Sequence, residues 1–192
     1  MNRYKELNFK LDKLELLKCF SLFSNADYNY DNIIMYNTLG ITGCEYVNNF
    51  VSKVTTALDC ISSRECFTFQ KDASDDVPVH IDVCDYSNQH KMHQDYYSIV
   101  VPISGVGTTS FYYCDQNFDT TFQKRDYIFE NTKINKIGGV QIKDRPYVLN
   151  VQEPHSVEVI KGPRITYHMK ISKVQHNIQT VQKILNDTFN RR

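Results

Sequence analysis

VPVHIDVCD at 77–85 sets Val77, Val79, Ile81 and Val83 against Pro78, His80, Asp82 and Cys84. A period of two is that of a β-strand, whose successive side chains point to opposite faces. Working outward, CFTFQ at 66–70 reads as a short aromatic strand, and YYSIVVPI at 96–103 and TTSFYYCD at 108–115 as two more. The SGVG between those two is a hairpin signal. Further strands are expected at 121–130, 134–143, 146–151, 155–160 and 164–172. KGP at 161–163 reads as the turn between the last two, and Gly138-Gly139 as a bulge or turn inside its strand. Eight or nine strands without intervening helices leave no room for βαβ crossovers, so antiparallel sheets in a sandwich or barrel follow.

Helical patterning flanks this middle. Leu11, Leu14, Leu17 and Phe20, widened by Leu16 and Phe23, predict an amphipathic helix ending near Ser24-Asn25. Asp27 to Asn32 reads as a polar turn. Val47, Phe50, Val51, Val54, Leu58 and Ile61 predict a second helix over Glu45 to Ser63. Val174, Ile178, Val181, Leu185 and Phe189 mark a C-terminal helix whose apolar face suits a sheet or a second copy in a homo-oligomer. The reading is a single domain, 1–192: helical support at about 8–64, a β core at about 66–172 and a helix at about 174–189. The fold class is mainly β with flanking helices (α+β).

Lys plus Arg and Asp plus Glu each number 22, for a net charge of zero. Such a chain has no global field to draw it onto a phosphate backbone, which argues against a large nucleic-acid footprint. No run of 18 apolar residues occurs, so no membrane span is expected. The polar start lacks a signal-peptide apolar core. Six cysteines at 19, 44, 60, 66, 84 and 114 show no CxxC spacing. Free thiols in a reducing compartment are therefore the expectation: the cytoplasm, or a host cell's interior for a viral protein. A zinc-thiolate cluster has little support.

His80 and Asp82 share a strand face, and an imidazole beside a carboxylate fills an apolar core poorly because both need partners. Two histidines and one carboxylate occupy one face of an octahedral iron and leave positions open for chemistry. His155, after Glu153-Pro154, is the candidate second histidine. The plain alternatives are water-facing polar residues on a strand and, for His155, a turn cap.

These residues lie in a pattern that resembles the 2-oxoglutarate- and Fe(II)-dependent oxygenases: His80-Ile81-Asp82, then Pro154-His155-Ser156-Val157, then Arg164-Ile165-Thr166. His155 follows His80 by 75 residues, and Arg164 follows His155 by 9. YSIVVPISG at 97–105 and YVLNVQEPHSVEV at 147–159 look like the matching core strands, and the resemblance covers about 76–172. It implies a double-stranded β-helix, or jelly roll, with Fe(II) on His80, Asp82 and His155. 2-Oxoglutarate would chelate that iron, its far carboxylate gripped by Arg164 with the Thr166 hydroxyl beside it. Tyr97 or Tyr96 could add a phenolic hydrogen bond, one of them pointing inward with Ile99. Asn150 could orient a ligand or satisfy a strand edge. Tyr112 is a candidate substrate contact, and His168 shares the Arg164 face. The segment 87–95, with His90 and His93, is a candidate lid, and 115–150 a candidate set of extra strands or a recognition insert. The implied activity is hydroxylation of a small molecule or protein side chain; the alternative is a non-enzymatic jelly-roll protein. Cupins, with their HxH spacing, fit less well, since HxH is absent.

Overall fold

Residues 164–171, RITYHMKI, alternate polar and apolar without a break, and both faces of this strand are buried. Ile165, Tyr167, Met169 and Ile171 enter an apolar core, whereas Arg164, His168 and Lys170 line an internal cavity. The same division runs along the neighbouring strands: Phe67, Ile99 and Val101 face the apolar side, and Arg64, Cys66, Ser98 and Val100 face the cavity. A sheet with one face under helices and the other forming a lumen produces this pattern.

The computed structural model describes residues 3–22, 28–30, 33–37, 44–82, 97–114, 120–123, 126–129 and 134–191. In chain order the elements are β1 (Tyr4–Glu6), α1 (Lys13–Ser21), β2 (Tyr28–Tyr30), β3 (Ile33–Asn37), α2 (Glu45–Leu58), β4 (Ile61–Gln70) and β5 (Val77–Asp82). They continue with β6 (Tyr97–Cys114), β7 (Thr120–Gln123), β8 (Asp126–Phe129), β9 (Ile134–Ile142), β10 (Tyr147–Leu149), β11 (His155–Ser172) and α3 (Ile178–Asn190).

The organising unit is an antiparallel ribbon of β6 and β11, each 18 residues long, paired from His155↔Phe111 to Ile171↔Tyr97. Register shifts between Val159 and Thr166 bend it. One half carries β4 and β3 on one side and β10 and β1 on the other. The other half carries β5 and β8 on one side and β9 on the other. The two halves face each other, since Lys170 of the first meets Asp82 of the second. SGVG and KGP are therefore not hairpin turns but facing corners within continuous strands. Gly105 permits the bend with φ +68°, and a Cβ there would stand 2.6 Å from the Lys161 carbonyl oxygen. The bulge expected at Gly138-Gly139 is present: Phe111 pairs with Gly138 and Tyr112 with Lys136.

The flanks differ from expectation in several places. Three short strands were not expected: β1 precedes the helical region, β2 and β3 occupy sequence expected to be helical or turn, and β3 extends the sheet beyond β4. In α1 the buried residues are Leu16 and Cys19, while Leu14 is 69% exposed, because a strict three-residue spacing drifts around a 3.6-residue helix. Asp12 caps it, accepting from the Leu14 and Glu15 amides. α2 stops at Leu58, where Asp59 takes a left-handed conformation, and Ile61 opens β4 instead of extending the helix. α3 begins only at Ile178, capped by Asn177. Its face of Ile178, Val181 and Leu185 is buried against α2, β1 and β10, so the surface offered for a homo-oligomer is used within the chain.

Cys19 and Cys44 form a disulfide joining α1 to the start of α2. This corrects the expectation of free thiols at these two positions, while Cys60 and Cys66 keep their thiols as expected, and it weakens the ground on which a cytoplasmic location rested. Among the described residues no helix is long and apolar enough to cross a membrane.

Candidate functional site

β5 and β11 pair with His80 opposite His155, and Asp82 follows two residues along the same face of β5. The two imidazole rings lie 4.3 Å apart between centroids. All three side chains are buried, and one candidate ligand atom from each lies within 4.8 Å of the others. His80 Nδ1 is 2.8 Å from the Pro78 carbonyl oxygen and His155 Nδ1 is 2.9 Å from that of Glu153. A carbonyl only accepts, so each Nδ1 carries a proton, and each Nε2 is the ring nitrogen that could serve a metal. Burial, reinforced by neighbouring His80, lowers the His155 pKa to about 3, so it is neutral at pH 7, as a metal ligand must be.

Asp82 is held on both sides. Its Oδ1 lies 3.3 Å from His80 Nε2, and its Oδ2 lies 2.5 Å from Lys170 Nζ. Burial alone would raise its pKa, but the Lys170 ammonium and then the His80 hydrogen bond hold the carboxyl well below its usual range. The Asp82 amide donates to Val151, and Gln152 Nε2 donates to the Asp82 carbonyl oxygen. The carboxylate thus presents one oxygen to the histidines while the ammonium occupies the other.

Arg164 lines the same cavity, of about 90 Å³, on the β4 side of β11. Its Nη1 donates to Gln70 Oε1, and its buried Nε has no partner. Burial lowers its pKa to about 10, which still leaves it charged at neutral pH. Gly107 makes the room: a Cβ there would lie 2.5 Å from Arg164 Nε. Thr166 is buried one alternation away, with its hydroxyl 2.6 Å from Thr68 Oγ1 and 2.8 Å from His168 Nε2. Burial, then the Arg164 and Lys170 charges, keep His168 well below its ordinary pKa.

The structure therefore brings His80, Asp82, His155 and Arg164 to one cavity, with Thr166 behind it. Tyr97 is elsewhere: its ring packs against the apolar core and its hydroxyl donates to the His176 carbonyl oxygen. Tyr97 does point inward with Ile99, but toward the helices, because the lumen belongs to Ser98 and Val100. Asn150 does not line the cavity either. It organises the turn before His155, accepting from the Gln152 amide and donating to Glu153. Tyr112 pairs with Ser156 through their hydroxyls, 2.9 Å apart. Tyr96, His90, His93 and the 87–95 segment lie outside the described residues.

Among the lining residues not singled out from sequence are two cations, Arg64 and Lys170. Lys170 had a signal, since it continues the 164, 166, 168 alternation by one step. Arg64 had none, because it falls where the helical pattern hid the start of β4.

No protein-family model and no curated protein matches the sequence. Solved structures do. The epimerase SnoN, crystallised with Fe3+, alpha-ketoglutarate and nogalamycin RO, superposes with a TM-score of 0.60 at 9% identity, covering 89% of this chain and 79% of SnoN. HygX from Streptomyces hygroscopicus, with nickel and 2-oxoglutarate bound, gives 0.57 at 11% identity, covering 91% and 84%. The fold is the double-stranded β-helix. A third match, E. coli ycfD, gives 0.56 at 10% identity over 93% of this chain, which spans 51% of that protein's length.

Proposed function

We propose that this protein is an Fe(II)- and 2-oxoglutarate-dependent oxygenase acting on a small molecule or a protein side chain. The observation that carries the reading is the convergence of His80, Asp82 and His155 in a cavity that also holds a buried arginine with an unsatisfied N–H. The donor set fits the metal: two imidazoles and one carboxylate oxygen, all buried, with no thiolate among them. The arginine fits the cosubstrate, because an orphaned buried donor is costly until a carboxylate accepts from it. HygX and SnoN, which share the fold, hold nickel or iron together with this 2-oxo acid.

With dioxygen as the four-electron oxidant, bound Fe(II) and 2-oxoglutarate would supply a reaction in which one oxygen atom ends in succinate, with loss of carbon dioxide, and the other in a hydroxylated substrate carbon. The chain's own residues hold and orient. The Pro78 and Glu153 carbonyls fix the orientation of both histidine rings, and Lys170 fixes which Asp82 oxygen is offered. Gln70 orients the Arg164 guanidinium, and Val77, Val100, Val151 and Val157 line the cavity with apolar surface that excludes water.

Succinate formation from 2-oxoglutarate tests the proposal. The expected result is turnover that requires Fe(II) and is lost in Asp82→Ala. Binding of neither metal nor 2-oxoglutarate would instead support a non-enzymatic jelly-roll protein.

A further inference from the structure

Opposite Lys170 in register stand Arg64 on β4 and Ser98 on β6. All three are buried and line the cavity, so they form a row across three adjacent strands at one level of the lumen. Arg164 lies six residues along β11, on the order of 20 Å of extended strand away. We propose that the Arg64–Lys170–Ser98 row is a second carboxylate-binding subsite, and that the substrate is a small organic acid whose carboxylate binds there. This rests on the oxygenase reading above.

Three observations support it. Ser98 Oγ is 1% exposed as a residue, faces the cavity and has no hydrogen-bond partner, so it is a donor awaiting an acceptor. The row adjoins the metal site, since Lys170 touches Asp82, and so lies where a substrate must come. The third is charge. Even with Arg64 left out of the count, Lys170, Arg164 and a divalent ion carry four positive charges, whereas Asp82, the only carboxylate among the described lining residues, and a 2-oxoglutarate dianion answer three. Excess positive charge in a buried lumen is costly, and an anionic substrate offsets it. The carboxylate could also come from the cosubstrate itself, through its metal-side end. The two sources predict different mutant behaviour.

The experiment is calorimetric titration of sodium acetate, at ionic strength held constant with chloride, into protein loaded with Mn(II) and saturating 2-oxoglutarate. The result expected is saturable acetate binding that Ser98→Ala and Arg64→Met each weaken by about tenfold. 2-Oxoglutarate affinity in the same variants should stay within about threefold. Ser98→Ala removes only one oxygen and guards against a folding defect, which circular dichroism would reveal in Arg64→Met. Absence of saturable acetate binding, or equal acetate affinity in Ser98→Ala and wild type, overturns the proposal. So does a parallel tenfold loss of 2-oxoglutarate affinity, which would assign the row to the cosubstrate. A metal-free arm separates this from the oxygenase reading: if Mn(II) and 2-oxoglutarate fail to bind but acetate still binds through Ser98, the reading fails and the subsite stands.

Discussion

His80 and His155 meet as a register pair on adjacent antiparallel strands, with ring centroids 4.3 Å apart and both Nδ1 atoms turned away onto backbone carbonyls. On the proposed reading, residues 75 apart in the chain become one two-pronged ligand whose ring orientations are set before any metal arrives. His155→Ala removes one prong. Mn(II) affinity, measured by electron paramagnetic resonance, should fall by at least about 100-fold, more than the loss typical of an outer-shell partner.

Gly107 tests the other end of the cavity. A methyl at 107 would meet Arg164 at Nε, Cδ and Cζ, all within 3.1 Å, and must displace the guanidinium. Gly107→Ala should weaken 2-oxoglutarate binding by about tenfold or more, through misplacement of a charge-assisted hydrogen bond. Mn(II) uptake should stay within about twofold of wild type. Calorimetry of each ligand separates the two effects.

That these residues belong to one site was legible in the sequence. The family resemblance implied that His80, Asp82, His155 and Arg164 converge, and all four do line one cavity. What misled was locality. Glycines at 105 and 162 carry hairpin chemistry, but their partner strand runs past them, and long-range pairing turned two hairpins into one bent ribbon. Tyr97 was misplaced for a related reason: a sheet buried on both faces has two insides, and a single strand's alternation does not say which is the lumen. Lys170 and Arg64 look like solvated charges in a linear reading, and only the register across β4, β11 and β6 places them together.

Acid should unfold the metal-free protein early. His155 has a folded pKa of about 3 against an ordinary 6.5, so the unfolded chain binds the extra proton and stability falls as pH drops below about 6.5. His168, also lowered, acts in the same direction, and Asp82 adds to it only below its ordinary 3.8. From His155 alone the loss between pH 7 and pH 5 is about 2 kcal/mol. Urea unfolding in EDTA at the two pH values should show it, and His155→Gln should shrink the difference.

The Cys19–Cys44 bridge closes a loop with a sequence separation of 25 and ties α1 to α2 over the apolar core. Loop-closure entropy makes such a link worth roughly 3 kcal/mol. Reduction, or the double variant Cys19→Ala/Cys44→Ala, should lower unfolding free energy by about that amount. Mass spectrometry after alkylation without reductant should find these two cysteines unlabelled.

The most direct measurement is a crystal structure of the protein grown with Mn(II) and 2-oxoglutarate, with anomalous data collected at the manganese edge. The account predicts one anomalous peak bonded to His80 Nε2, His155 Nε2 and Asp82 Oδ1, and a dicarboxylate running from that ion to Arg164. A cavity in which Lys170 still bridges to Asp82 and no ion lies between the histidines, under conditions where both ligands are in excess, would contradict it.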